Sequence, residues 1–389
     1  MREGWEVKSI GDVCTVIAGQ SPKSSFYNND GDGLPFYQGK KLFGNKFISS
    51  PNTWTTKITK EALKDDILMS VRAPVGPINF ATERICIGRG LAAIRAEEKI
   101  NKEYLFYFLM HNENEIIGNT GAVFNSINKK QIGDLKILMP ATLPEQTEIV
   151  NTLDKAFAQI DQAKANLEKN LHNAQELFQS KLNEVFSQRG EGWVEKKLGE
   201  IASVEYGFTA KSTAEGTFRY VRITDIDTKG NLILDDKKYI EATEEASKFQ
   251  LKENDILMAR TGATFGKVLL YKDYEPSVFA SYLIRIHFTE NISNELYWYF
   301  SKSQFYWSQA NTLSSGSAQP HFNGKALKEV IFSYPKSIEE QEKLIIEFKS
   351  LLDEIEKLQT HYQHKLNNLE ELKKSILQKA FAGELEYGL

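Results

Sequence analysis

Residues 140–178 read PATLPEQTEIVNTLDKAFAQIDQAKANLEKNLHNAQELF, and residues 335–373 read PKSIEEQEKLIIEFKSLLDEIEKLQTHYQHKLNNLEELK. Both stretches are rich in Glu, Lys, Gln, Leu and Ala, and neither contains glycine. Both open on a proline, and no proline follows Pro144 in the first stretch or Pro335 in the second. Because Pro and Gly are the residues that interrupt helices, each stretch predicts one long helix.

Residues in both stretches follow the alternating four-and-three spacing of a heptad seam. The seams are Leu153, Phe157, Ile160, Lys164, Leu167, Leu171, Ala174 and Phe178, and then Phe348, Leu352, Ile355, Gln359, Tyr362, Leu366, Leu369 and Lys373. Lys164 and Gln359 place a polar residue at matching points, as expected where a seam specifies register. We therefore predict that the helices, ~65 Å long at ~1.5 Å per residue, pack antiparallel on each other. In the alternative, each helix packs on its own globule.

The sequence before each helix is also duplicated. Gly4-Trp5 recurs as Gly192-Trp193, and Asp66-Ile67-Leu68-Met69 recurs as Asp255-Ile256-Leu257-Met258. Five more residues return 195 positions later: Gly121, Asn128, Pro140, Glu145 and Gln146, as Gly316, Asn323, Pro335, Glu340 and Gln341. In each copy, short β-type runs such as residues 67–71, 85–87 and 91–94 alternate with Gly, Pro and Asn, which predicts a mainly β globule.

These patterns predict an α+β protein with two pseudo-symmetric globules separated by an antiparallel pair of long helices. The expected domains are 1–143, 144–191, 192–338 and 339–389. In this arrangement Leu389 returns close to Met1. All the net acidity lies in the helical segments, which carry −3 and −4, because the two globules carry about +3 and 0 by residue count.

Composition excludes several classes of protein. The chain has 389 residues, 41% hydrophobic and 26% charged, which is typical of a multidomain globular protein. Its two cysteines, Cys14 and Cys86, are too far apart for a Cys-x-x-Cys site. No apolar run approaches the ~18 residues that a membrane-spanning helix needs. We expect a cytoplasmic protein that has no membrane partner.

No catalytic signature is complete. Residues 262–268 resemble a phosphate loop, but the glycine spacing is one residue short and Val268 replaces the Ser or Thr that binds magnesium. The acidic turn Asp235-Asp236-Lys237 has no counterpart in the first copy. His361 and His364 have the spacing of metal ligands but no accompanying cluster. The sequence predicts no catalytic residue, metal site or cofactor in this chain.

The globules carry polar, basic and aromatic residues on loops punctuated by glycine, a mixture that contacts phosphates and base edges in DNA. Arg72 and Arg260 each follow the shared Asp-Ile-Leu-Met run. The candidate DNA-binding residues are Gln20, Lys23, Tyr37, Gln38, Lys40, Lys41 and Arg72 in the first copy, and Phe208, Thr209, Lys211, Arg222, Thr224 and Arg260 in the second.

The order of these features resembles the specificity subunit of type I restriction-modification systems. The resemblance covers essentially the whole chain. It rests on the duplicated order of globule, Pro-x-x-x-Pro/Glu-Glu-Gln and long helix, on the opening Trp-x-x-x-x-Leu/Ile-Gly-Asp/Glu-Ile/Val, on the Asp-Ile-Leu-Met strand, and on the segments around Gly121 and Gly316.

The resemblance implies that each globule recognises one half of a bipartite double-stranded DNA target while the helices hold the spacing. It implies two methylation subunits that carry S-adenosylmethionine, restriction or motor subunits, and no catalysis in this chain. We expect partner sites near Glu145-Gln146 and Glu340-Gln341. The copies differ in their loops, with Gln20 set against Phe208 and Gln38 against Val221, so their half-sites should differ. Two alternatives stay open: the specificity subunit of a combined restriction-methylation enzyme, and a coiled-coil scaffold that binds proteins.

Overall fold

The computed structural model describes residues 3–113, 116, 126–227, 229–273, 275–314 and 321–385. The chain forms two compact units, Met1–Leu167 with Gln363–Leu389, and Glu168–Tyr362. We call the globular part of the first unit copy 1 and that of the second unit copy 2. Met1, Leu389, Gly121 and Gly316 lie outside the described residues, so the predictions made for them are not addressed by the structure.

Copy 1 contains eleven strands within the described residues. They are β1 (Trp5–Ser9), β2 (Cys14–Ala18), β3 (Tyr27–Asn28), β4 (Leu34–Tyr37), β5 (Trp54–Thr55), β6 (Glu61–Ala62), β7 (Ile67–Ser70), β8 (Ile78–Phe80), β9 (Ile85–Ile87), β10 (Leu91–Ala96) and β11 (Lys136–Pro140). Its described helices are α1 (Ile10–Val13), α2 (Lys102–His111) and α3 (Lys129–Asp134), and α4 (Leu143–Phe186) follows. The predicted runs 67–71, 85–87 and 91–94 therefore fall on strands.

Copy 2 follows a similar order, with nine strands within the described residues. Its strands are β12 (Trp193–Lys197), β13 (Ala202–Tyr206), β14 (Phe218–Val221), β15 (Tyr239–Ile240), β16 (Ile256–Ala259), β17 (Val268–Leu270), β18 (Ser277–Phe279), β19 (Leu283–Phe288) and β20 (Ile331–Pro335). Its helices are α5 (Leu198–Ile201), α6 (Glu244–Ser247), α7 (Asn294–Phe300), α8 (Gln304–Leu313) and α9 (Gly324–Lys328), followed by α10 (Ile338–Ala382). Short 3-10 helices span Ser24–Phe26, Lys40–Leu42, Ile223–Asp225 and Gly262–Thr264.

Two of the three sheets correspond strand by strand in the two copies, whereas the third has five strands in copy 1 and three in copy 2. The four-stranded sheet has the order β2-β10-β7-β8 in copy 1 and β13-β19-β16-β17 in copy 2. The first and last strands of each copy pair antiparallel, as β1 with β11 and β12 with β20. The remaining sheet of each copy contains one parallel pair of strands, β4 with β9 in copy 1 and β14 with β18 in copy 2. The prediction of two related α+β globules is confirmed.

The aspartate of the repeated Asp-Ile-Leu-Met run stabilises the fold. Asp66 is 3% exposed, accepts from the backbone N–H of Leu63 at 2.7 Å, and accepts two bonds of 2.8 Å from the guanidinium of Arg95. Asp255 likewise accepts from a backbone N–H three residues earlier and from Arg285, at 3.0 and 3.2 Å. Each aspartate thus closes the turn before a buried strand and neutralises an arginine.

Within each unit, the two long-helix segments run antiparallel beside each other. In the first unit Lys164 forms an ion pair with Glu370, and the Lys373 ammonium lies 4.7 Å from the centre of the Phe157 ring. In the second, Lys181 and Glu347 form an ion pair of 2.9 Å.

The seam residues of both helices are buried or half-buried, as the heptad pattern predicts. The helices also join the globular cores. Leu153 and Phe381 belong to the apolar core of copy 1, and Phe186 and Phe348 to that of copy 2. Both modes of packing considered from the sequence therefore occur.

Candidate nucleic-acid interface

A glycine fixes the same loop in both copies. Gly19 and Gly207 follow β2 and β13, and their N–H groups donate to Leu91 and Leu283 at 2.9 and 3.2 Å. A Cβ atom at Gly19 would lie 2.2 Å from a backbone oxygen, and one at Gly207 would lie 2.4 Å from another. Only glycine fits such an approach. The following residue, Gln20 or Phe208, therefore occupies the same backbone site.

Copy 1 gathers five polar side chains on one surface, which we call the copy 1 recess. Gln20 lines one hollow, Lys40 and Arg72 line an adjoining one, and Gln38 and Arg89 border both. All five are exposed, and within the described part of the chain their side chains form no hydrogen bond or ion pair. Three cations and two amides, with no carboxylate among the residues lining either hollow, form a surface suited to phosphates and base edges.

Arg89 was missed by the sequence-based prediction. It lies between Gly88 and Gly90, whose N–H groups donate to the carbonyl oxygens of Tyr37 and Gln38 at 2.8 and 3.2 Å. A Cβ atom at Gly90 would lie 2.3 Å from the Gln38 oxygen. The two glycines thus bring Arg89 beside Gln38, and the Gly-Arg-Gly spacing is the signal that indicates such an arginine in the sequence.

The remaining copy 1 candidates lie elsewhere. Tyr37 is only 2% exposed and its hydroxyl donates to the Ser49 carbonyl at 2.8 Å, so it supports the loop from inside. Burial raises the pKa of Tyr37 to about 12. Lys23 and Lys41 are exposed beside and within the two 3-10 helices, but neither lines the recess.

In copy 2 the central candidate is Arg260. Its guanidinium carbon lies 5.3 Å from the centre of the Tyr206 ring and 5.0 Å from that of Tyr282. Both tyrosines are exposed, at 41% and 52%. Thr209, Lys211 and Thr224 are also exposed, so they are available to a ligand.

Two other copy 2 candidates are engaged within the protein. Arg222 donates from Nε and Nη2 to Asp225, at 3.2 and 2.6 Å, and this pair raises the pKa of Arg222. Phe208 is half-buried, with its ring 5.6 Å from that of Phe249. Both side chains therefore serve the loop structure within the protein.

Strand register corrects one correspondence inferred from the sequence and defines a second. Val221 pairs with Phe279 as Tyr37 pairs with Ile87, so the counterpart of Gln38 is Arg222 rather than Val221.

The second correspondence concerns Arg260. The N–H of Arg260 donates to the carbonyl of Tyr282, and that of Val71 donates to the carbonyl of Gly90. In both copies the carbonyl of this residue accepts a hydrogen bond from the segment before a short helix. Arg260 accepts from Phe322, before α9, and Val71 accepts from Ile127, before α3. Arg260 therefore corresponds to Val71, and Arg72 corresponds to Thr261.

The model of the type I restriction modification DNA specificity domain matches this sequence twice, over residues 2–172 and 190–368. The chain belongs to this family. The match places both globules and most of both long helices inside the domain. It confirms the prediction of a DNA-recognition protein built from two related specificity domains.

Curated relatives are themselves specificity subunits. The StySPI specificity subunit of Salmonella potsdam is 25% identical over 418 aligned positions, which cover 98% of this chain and 89% of the relative. The EcoKI specificity subunit of Escherichia coli K12 is 24% identical over the same shares. The MjaX specificity subunit of Methanocaldococcus jannaschii is 45% identical over 156 residues, but the alignment spans 39% of this chain and 36% of that relative.

Solved structures show the same fold. A chain from a type I R-M system matches with a TM-score of 0.80 and 17% identity, over 99% of both chains. The HsdS subunit of Thermoanaerobacter tengcongensis matches with a TM-score of 0.62 and 18% identity, over 99% of this chain and 98% of that one.

The glutamine of the repeated Glu-Gln pair has a structural role in both copies. Gln146 is fully buried; its side-chain nitrogen donates to the carbonyls of Lys99 and Pro140 at 3.2 and 2.9 Å, and its oxygen accepts from the Asn101 N–H at 2.7 Å. Gln341 makes the matching three bonds, of 3.2, 2.8 and 2.8 Å. Neither glutamine is accessible, so both serve the fold, and the expectation of partner sites near them stays a prediction.

The described residues hold no group of three or more His, Cys, Asp or Glu side chains arranged for a metal ion. Among them, no helix is both long and apolar enough to cross a bilayer. Within residues 262–268 the backbone forms a 3-10 turn at Gly262–Thr264.

Proposed function

We propose that this chain is the non-catalytic recognition subunit of a type I restriction-modification complex, and that copies 1 and 2 each bind one half of a bipartite DNA duplex target. The globules 1–143 and 192–338 would read the DNA, and helices 144–191 and 339–389 would set the spacing of the half-sites. The observation that carries the proposal is the set of cationic and amide side chains, unpaired within the described residues, that lines the recess of copy 1 in a chain matching a DNA specificity domain twice.

Copy 1 would bind through its recess. Lys40 provides a point charge for a phosphate, while Arg72 and Arg89 present planar forks that match the O6 and N7 acceptors of guanine. Gln20 and Gln38 carry both a donor and an acceptor, the combination that recognises the N6 and N7 edge of adenine. Because none of these side chains is paired in the described residues, no internal bond has to break on binding.

Copy 2 would bind through Arg260 with Thr209, Lys211 and Thr224. Threonine hydroxyls and the lysine ammonium suit the DNA backbone, and the arginine suits a base edge. Arg222, Phe208 and Tyr37 are omitted from the proposed contact set, because each is committed to the protein interior or to an ion pair.

The partners would be two methylation subunits, which would carry S-adenosylmethionine, and restriction or motor subunits. Large apolar residues exposed on the long helices support docking of other chains. They are Leu143 and Leu372 in the first unit, and Leu177, Ile346 and Leu358 in the second. Contiguous exposed apolar surface marks interaction sites, and these residues are where we expect it on the helices.

The test is to purify the full chain together with candidate methylation and restriction subunits and to bind the complex to a randomised duplex library. We expect enrichment of a bipartite sequence, two methylation subunits per chain in native mass measurement, and an affinity that falls steeply with salt. A complex that enriches no sequence would refute DNA recognition. One methylation subunit at saturation would refute the two-fold assembly.

A further inference from the structure

The aromatic side chains around Arg260 form an arrangement that copy 1 lacks. Tyr206 ends β13 and Tyr282 precedes β19, so two neighbouring strands bring their rings to Arg260, which follows β16. The corresponding positions in copy 1 are Ala18, Gly90 and Val71, none of which is aromatic or charged.

The backbone holds all three residues of this arrangement. The Arg260 N–H donates to the Tyr282 carbonyl at 3.1 Å, and the Arg260 carbonyl accepts from Phe322 at 2.8 Å. The Tyr206 hydroxyl accepts from the Gly324 N–H, also at 2.8 Å, where α9 begins. The two rings are therefore attached to the same framework as the arginine between them.

Within the described residues the guanidinium has no polar partner. Nε of Arg260 is buried without a hydrogen-bond acceptor, and the described residues offer its side chain no ion pair. An arginine held only by two aromatic rings keeps the hydrogen-bonding edge of its fork unoccupied, because cation–π contacts use the flat face of the group.

We propose that Tyr206 and Tyr282 are positioning residues that hold the Arg260 fork in one plane for a guanine in the half-site bound by copy 2. The inference rests on the proposed function. A fork held in one plane suits the two coplanar acceptors of guanine, whereas a phosphate is bound equally well by a mobile cation. Holding the side chain before binding also reduces the rotamer entropy lost when DNA binds.

The experiment uses the full chain, in the complex in which it purifies, and a duplex library randomised over both half-sites. Arg260→Ala should lose a guanine preference of about 5- to 150-fold at one base pair of one half-site. Tyr282→Ala should weaken the preference at that same base pair by roughly 2- to 5-fold. Tyr282 is the better of the two tyrosines to change, because the described residues give its hydroxyl no hydrogen bond. Its hydrogen bond with Arg260 joins backbone atoms, so it survives a change of side chain.

Three controls separate positioning from other effects. Tyr282→Phe keeps the ring and should restore the preference. Arg260→Lys keeps the charge but loses the fork, so total affinity should survive while the guanine preference falls. Arg89→Ala should change only the other half-site. Thermal unfolding of each variant reports on folding independently.

The outcomes are distinct. If Tyr282→Ala leaves the preference intact, or weakens all base pairs equally, the two tyrosines do not position Arg260 for a base. If Arg260→Lys retains the guanine preference, the contact is one of charge alone and the inference fails. A wild-type complex that selects no sequence would instead refute the proposed function from which the inference starts.

Discussion

The two copies share their backbone framework but present different cations on it. In copy 1, Arg72 and Arg89 are exposed around Gln38, and the described part of the chain gives their side chains no partner. In copy 2 their counterparts are Thr261 and Ser281, and the arginine lies one residue earlier, at Arg260. A shift of one residue in a loop after a strand changes the direction of the side chain while the strand pairing stays the same. One framework can thus present two different recognition surfaces.

The copies also differ where their globules meet the long helices. In copy 1 the Phe106 ring stacks on Phe80 at 4.6 Å, and Lys46 lies 5.2 Å from the centre of the Tyr107 ring. In copy 2 a cavity of about 370 Å³ opens beside Trp298 and Lys302. Lys302 lies 3.9 Å from the centre of the Trp298 ring, and its burial lowers its pKa to about 8. The repeat therefore conserves the sheets more closely than it conserves the packing under the helices.

The largest effect on stability should come from the buried glutamine that the copies share. Gln146→Leu or Gln341→Leu would leave three backbone groups without partners: the carbonyl of Pro140 or Pro335, which is buried, and a second carbonyl and an N–H that are partly buried. A fully buried group of this kind costs roughly 1–3 kcal/mol, and a partly buried one costs less. We expect each variant to lose about 3–6 kcal/mol of unfolding free energy, measured by denaturant titration. Gln159→Leu, at an exposed position of the same helix as Gln146, is the control and should stay near wild type. Equal stability of the Gln146 and Gln159 variants would contradict this account of the framework.

A smaller effect should distinguish two adjacent glycine sites in copy 1. Gly90→Ala brings a Cβ atom to 2.3 Å from the Gln38 oxygen, so Gln38 and Arg89 must move apart. We expect about 1–3 kcal/mol of destabilisation and loss of sequence preference in the half-site bound by copy 1. Gly39→Ala meets no atom within 4 Å and has an extended φ of −171°. If both variants bound DNA alike, the recess would not depend on the close approach of Gly90 to Gln38.

Arginine substitutions in copy 1 should sharpen the comparison further. Arg72→Ala and Arg89→Ala should each reduce discrimination at one base pair by about 1–3 kcal/mol, or weaken all sequences equally if the contact is to phosphate. Either change should leave the half-site of copy 2 untouched. Base preferences measured on the randomised library would show this, and a change in both half-sites would indicate that the copies do not read independently.

The smallest effect is a dependence of stability on pH that belongs to copy 2. The Lys302 pKa falls from 10.5 to about 8 in the folded protein, so the unfolded chain binds more protons between those values. Stability should therefore rise with pH across this range, by about 1–2 kcal/mol for a partly exposed site. Lys302→Met should flatten this rise relative to wild type in denaturant titrations at several pH values. Lys229→Met, at an exposed lysine of the same cavity, should retain most of it, because burial lowers the pKa of Lys302 more than the Lys229 charge does.

Much of the candidate surface could be predicted, and the errors have physical causes. The exposure of Gln20, Gln38, Lys40 and Arg72 could be predicted because polar residues beside glycine mark exposed loops. Tyr37 was included for its neighbours on the chain, yet it ends a strand with its side chain facing inward. Arg89 was omitted because only the pairing of β4 with β9 brings its loop beside Gln38.

The sequence by itself determined the duplication, the α+β class and the two long helices, because periodicity and glycine or proline breaks act over a few residues along the chain. It also marked the heptad seams, which are buried or half-buried throughout. Only the tertiary structure decided which arginines are unpaired, which is bound to Asp225, and which lies between two tyrosines. Those outcomes depend on strand register, which joins residues far apart in the chain and reverses the side-chain direction with a slip of one position.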